Sequence, residues 1–143
     1  MNVDAGFVRR VIGMMDSRGV RLSLLVGWGG TILWFSLDPA PPRPSVGLFA
    51  WDKFQHAAAY GLLALLGGNV LVTYRHCRRR CWLLAFAGSV GFGALMEVAQ
   101  GGLTVARTAD VGDLLADAVG AGAVSLAAAL RRRRRGAVSC RRT

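Results

Sequence analysis

With 53% hydrophobic residues, 19 glycines and a mean hydropathy of +0.39 in 143 residues, the chain is more apolar than an ordinary water-soluble domain. A formal net charge of +10 and a pI near 11.4 invite a polyanion partner, yet the arginines stand in runs between apolar segments instead of covering one folded face. Beside a membrane span such a run sets topology and attracts anionic headgroups, which sets nucleic-acid binding aside.

Residues 1–21 hold Phe7, Val8, Val11, Ile12, Met14 and Met15 among Arg9, Arg10, Arg18 and Arg21. This suits an interfacial amphipathic helix or a solvated cytoplasmic leader. Residues 22–37 carry no charge and read as a first span. The run is short and Ala40 follows it, as in a signal peptide, but the long lead-in and poor cleavage signal favour an uncleaved helix. Pro39, Pro41, Pro42 and Pro44 then stop the helix, because proline lacks the amide donor and collides with the preceding turn. That stretch is a stiff linker.

A second span is expected over residues 54–74, closed by the basic loop from Arg75 to Arg80. A third covers 82–100 and a fourth 110–130, with Gly101, Gly102, Thr104, Arg107 and Thr108 between them and an arginine-rich tail over 131–143. The expected fold is therefore all-α, a polytopic membrane protein built as a compact bundle of four transmembrane helices over residues 22–130. No other backbone satisfies its own polar groups in lipid except a closed barrel.

Four spans put Arg9, Arg10, Arg18, Arg21, the 75–80 loop and the tail on one side, together fifteen of the eighteen basic residues, opposed only by Asp4 and Asp16. The other side has Arg43, Lys53 and Arg107, and six acids at or below it. By the positive-inside rule both termini are cytoplasmic. Cys77, Cys81 and Cys140 fall on that reduced side, so no disulfide framework is expected. His76, Cys77 and Cys81 match no zinc spacing, and no cofactor or metal signature appears elsewhere.

The ionisable residues of the opposite side are the candidates for chemistry. Asp52, His56 and Tyr60 recur every four residues and form a polar stripe at the mouth of the second span, beside Lys53. Glu97 and Gln100 share a face of the third span, and Asp110, Asp113 and Asp117 share one of the fourth. Asp117 lies about 10 Å deeper than Asp110 at ~1.5 Å rise per residue. An unpaired carboxylate at bilayer depth costs roughly 2.5–3.5 kcal/mol on insertion scales. Lys53, His56 and Arg107 are too few to match five acids, so a neutral carboxyl at Glu97 or Asp117 is expected at pH 7. Infrared carboxyl bands showing every acid ionised at pH 7 would count against it.

The same polar residues have a structural use, since interhelical hydrogen bonds can tie a bundle together at roughly 0.6 kcal/mol each. Gly88, Gly91 and Gly93, and Gly120 and Gly122, are expected to let helices approach closely. They are not phosphate loops, having neither a preceding strand nor a following lysine.

Asp52-Lys53 with His56 and Tyr60, then Glu97-Val98-Ala99-Gln100, Arg107, Asp110, Asp113, Asp117 and Gly120, resemble the pattern of the VanZ-like family of small bacterial membrane proteins. The resemblance runs from about Pro39 to Gly122; Asp117 stands where the family usually has asparagine. It implies an envelope protein of the bacterial cytoplasmic membrane and, from the family's founding member, an effect on susceptibility to teicoplanin, a lipoglycopeptide that acts at the outer face of that membrane.

Two functional expectations follow. In the first, the extracytoplasmic cluster acts on a lipid or lipid-linked envelope precursor: Glu97 or Asp113 is the general base, His56 the proton donor or relay, and Arg107 with Lys53 holds a phosphate. Asp52, Tyr60, Gln100, Asp110 and Asp117 complete the substrate surface. In the second, the protein is a non-catalytic scaffold or binding component of envelope assembly, with anionic lipids at its arginine-rich face.

Overall fold

The computed structural model describes residues 17–38, 52–74, 77–103 and 110–131. They form four α-helices: α1 (Arg18–Leu37), α2 (Asp52–Tyr74), α3 (Arg78–Leu103) and α4 (Val111–Leu130). All four are long and apolar enough to cross a membrane. The side chains are distributed inside out by the standards of a water-soluble protein. Trp34, Leu83, Leu95, Val98 and Val119 face outward, whereas Ser89, Glu97, Gln100, Asp117 and Ser125 are buried. Such an apolar exterior drives aggregation in water, and lipid is the solvent that suits it.

Two helices begin a turn earlier than hydropathy suggests, and arginine explains both. The Ser17 hydroxyl caps α1 by accepting from the Val20 amide at 3.3 Å. Arg18 then lies over the Tyr74 ring at 5.6 Å, and Arg21 donates to the Asn69 carbonyl at 3.2 Å. At the start of α3, Arg78 donates to the Ala128 carbonyl through Nε at 3.1 Å and Nη2 at 3.0 Å, and covers the Trp82 ring at 5.7 Å. Long arginine stems bury their methylenes while the guanidinium finds carbonyls and ring faces, so a charge at a span's edge prolongs the helix instead of ending it.

The closest helix contact joins α2 to α4. Gly120 lies so near the Ala57 backbone that a Cβ there would overlap the Ala57 carbonyl. On the other side of the crossing, a Cβ at Gly61 would come within 3.3 Å of the Gly120 carbonyl oxygen. Gly88 and Gly91, in contrast to the close approach expected of them, have nothing within 4 Å of a would-be Cβ. Helix α1 is the least enclosed of the four. It is tethered by Trp28, whose indole donates to the Ala59 carbonyl at 2.9 Å, and by the Gln100 amide, which donates to the Ser36 carbonyl at 3.1 Å.

Cys81, at the start of α3, is a buried free thiol. Residues 1–16, on which the interfacial-helix reading rests, lie outside the described residues.

Candidate functional site

The bundle sorts its charges by end. Arg18, Arg21 and Arg78 lie at one end with Tyr74, Asn69 and Ala128, and Asp52, Lys53, Asp110 and Asp113 gather at the other. The second end is organised by the first turn of α4. Asp110 is the N-cap, its carboxylate accepting from the Gly112 amide at 2.7 Å, while its own amide donates to Glu97 Oε2 at 2.8 Å. Both contacts satisfy amides that a helix start leaves unpaired. Lys53 reaches across from α2 to Asp110 Oδ2 and Asp113 Oδ1, each at 3.0 Å. The Gly112 amide first, and the Lys53 ammonium second, hold the Asp110 carboxyl below its usual range. This part of the site is therefore intact at neutral pH and is lost only as the pH falls through that lowered value.

Beneath it lies His56. Its Nδ1 is 3.0 Å from Asp117 Oδ1, and its Nε2 is 3.6 Å from Asp113 Oδ2. The carboxylates of α4 descend from water into the bundle: side-chain exposure is 55% at Asp110, 15% at Asp113 and 1% at Asp117. Asp117 is seated opposite Gly93, where a Cβ would come within 2.6 Å of Asp117 Oδ2 and 3.2 Å of the Tyr60 ring. The His56 and Tyr60 rings stack with centroids 6.3 Å apart and planes 3° from parallel. Tyr60 in turn meets Phe92 at 6.4 Å. Spacing of four on one helix and three to four on another thus brings Asp52, His56 and Tyr60 to the face that α4 covers with Asp113 and Asp117.

Glu97 and Gln100 are buried and engaged with backbone, Glu97 fixing the start of α4 and Gln100 the end of α1. Lys53 already has two carboxylates, so its charge is matched before any phosphate arrives. Arg107 lies outside the described residues. Asp52 opens α2 in an exposed position, and one ligand atom from each of Asp52, His56 and Asp113 lies within 4.8 Å of the others.

The site has an apolar annex that residue types alone did not indicate. A cavity of about 360 Å³ lies between α1, α2 and α3, bounded by Gly29, Leu63, Gly67, Gly88 and Ser89 and reaching Phe92, the neighbour of Tyr60. Gly29, Gly67 and Gly88 line it from the three helices. Nothing in the sequence separates Gly67 and Gly88, which line this space, from span glycines that pack tightly against a neighbour.

No family model, curated protein or solved structure matches this chain.

Proposed function

We propose that this chain is a multi-pass protein of the bacterial cytoplasmic membrane, allied to the VanZ-like proteins, that takes a membrane lipid or lipid-linked envelope precursor. The polar head sits at the Asp52, Lys53, His56 and Asp113 cluster, and the hydrocarbon lies in the cavity between α1, α2 and α3. One observation carries this reading: the polar cluster and the apolar cavity adjoin through Tyr60 and Phe92. A membrane ligand is amphipathic, and this pairing of a wet mouth with a dry channel matches it.

Gly88 supplies the test. A leucine there meets no backbone and fills the cavity, so Gly88→Leu is expected to fold normally and to lose at least tenfold of any lipid that copurifies with the wild type in a defined detergent. Equal lipid content in the two proteins, measured by mass spectrometry, would overturn the assignment of the cavity.

Both termini are placed in the cytoplasm on the strength of the arginine distribution. A reporter that matures only outside the cytoplasm, fused after Thr143, is expected to stay inactive. An active fusion would reverse the topology and place the polar cluster at the cytoplasmic face.

Catalysis is the second step of the proposal. Glu97→Gln keeps an oxygen to accept the Asp110 amide while removing the charge, so the fold should stand. Envelope lipids and lipid-linked precursors from cells making wild type, Glu97→Gln or no protein are then compared at equal membrane levels. A species that changes with wild type alone identifies turnover, and a change in teicoplanin susceptibility should track it. A scaffold reading is favoured by the engagement of Glu97 and Gln100 with backbone, and identical profiles in all three strains would select it.

A further inference from the structure

We propose that Asp52, His56 and Asp113 bind one divalent first-row metal cation, Zn²⁺ or Mn²⁺, at the mouth of the bundle. The donor atoms come from two helices. Asp52 and His56 lie one turn apart on α2, and Asp113 is in the first turn of α4.

Three features argue for an ion in preference to a simple ion-pair network. The first is the ring of His56. Its Nδ1 faces the buried Asp117 carboxyl at 3.0 Å and its Nε2 faces Asp113, so in the tautomer that gives the Nδ1 proton to Asp117 the Nε2 lone pair is turned toward Asp113. A histidine that gives its second ring N–H to a carboxylate is the usual arrangement behind a metal-bound imidazole, because it fixes the tautomer and makes the ligand more basic.

The second feature is the gap between Nε2 and Asp113 Oδ2. At 3.6 Å the two atoms are too far apart for a good hydrogen bond and close to the separation of two donors on a shared ion. Bonds of about 2.0–2.2 Å meeting at tetrahedral angles place donor atoms roughly 3.3–3.5 Å apart. Asp113 is already divided for this purpose, with Oδ1 on Lys53 and Oδ2 on the histidine side.

The third feature is charge. Among the described residues of this end, Lys53 and His56 face Asp52, Glu97, Asp110, Asp113 and Asp117. A divalent cation relieves that excess of carboxylate, and the exposed Asp52 gives it a path from water. Two carboxylates and one imidazole are a mixed oxygen and nitrogen set, suited to Zn²⁺ or Mn²⁺ better than to Ca²⁺ or to copper. Three protein ligands leave positions for water or for a phosphate oxygen. The ion would then grip an anionic headgroup at a site whose own charge repels it. That last role rests on the function proposed above, whereas the binding of the ion does not.

The full chain in detergent, stripped with chelator, is titrated with Zn²⁺ and with Mn²⁺ by equilibrium dialysis and elemental analysis. One ion per chain is expected. His56→Ala and Asp113→Asn should each raise Kd at least tenfold, and Asp117→Asn, which loosens the imidazole without touching the ion, by about 10–100-fold. Asp38→Asn should change nothing. In the Mn²⁺ form, pulsed electron paramagnetic resonance should show one coordinated imidazole nitrogen that persists in His76→Ala, which decides the matter even if the His56 variants fail to fold. No stoichiometric ion in the wild type, or an ion insensitive to His56 and Asp113, overturns the site. Line broadening of inorganic phosphate in ³¹P spectra of the Mn²⁺-loaded protein tests the headgroup role separately: a bound ion with no broadening beyond that of the His56→Ala control keeps the site and removes the role.

Discussion

Gly120→Leu is expected to abolish recovery of a monodisperse, folded protein. The side chain would be driven into the Ala57 carbonyl, and that neighbour is backbone, which has no rotamer by which to yield. Overpacking in an adaptable core costs about 1–3 kcal/mol. Here two transmembrane helices must separate along their main contact, so the loss should exceed that range. Thermal unfolding in mild detergent, followed by circular dichroism and size-exclusion chromatography, measures it. Gly88→Leu is the matched control, since it adds the same side chain to a span glycine that faces open space. An unchanged melting temperature for Gly120→Leu would mean that α2 and α4 do not meet as described.

Asp117→Leu should do the reverse, sparing the fold and disabling the site. Asp117 is buried, and its interhelical partner is His56 on α2. Leucine keeps the branching of aspartate in a larger side chain and removes a carboxylate that lipid does not favour, while His56 keeps Asp113 at 3.6 Å, so stability should fall by no more than about 1–3 kcal/mol. His56 loses its orienting acceptor, and function that depends on the ring should drop by about 10–100-fold. A scaffold makes the opposite forecast, in which the hydrogen bond between α2 and α4 holds the bundle and its loss lowers the melting temperature with function to match. Measuring thermal stability and cation affinity on the same preparations separates the two.

The four helices were legible because each is a long apolar run bounded by prolines, glycines or arginines, and lipid leaves the backbone no alternative. Their ends were less so. Arg18, Arg21 and Arg78 read as boundaries by charge, but guanidinium groups that reach carbonyls and aromatic faces belong to the helix. Within a helix, the period of the polar residues placed Asp52, His56 and Tyr60 on one face. Between helices the sequence was silent. Nothing in it says that Lys53 bridges Asp110 and Asp113, that Glu97 takes an amide from α4, or that Gln100 holds α1. Those pairings depend on how far α4 slides along α2, and the contact of Gly120 with Ala57 sets that register. A list of polar residues cannot distinguish one that faces a ligand from one that ties down a helix end. The apolar cavity beside Gly88 was invisible for the same reason, since a glycine that packs and one that leaves space look alike.

The α2 to α4 contact also dictates an order of assembly. These two helices pack most extensively although all of α3 separates them along the chain. During synthesis α2 and α3 enter the membrane before α4 has been made, and until then Lys53 and His56 have no carboxylates from α4 opposite them. The polar end is thus the last element of the molecule to mature. A nascent chain released before its fourth span would be inserted, helical and inert.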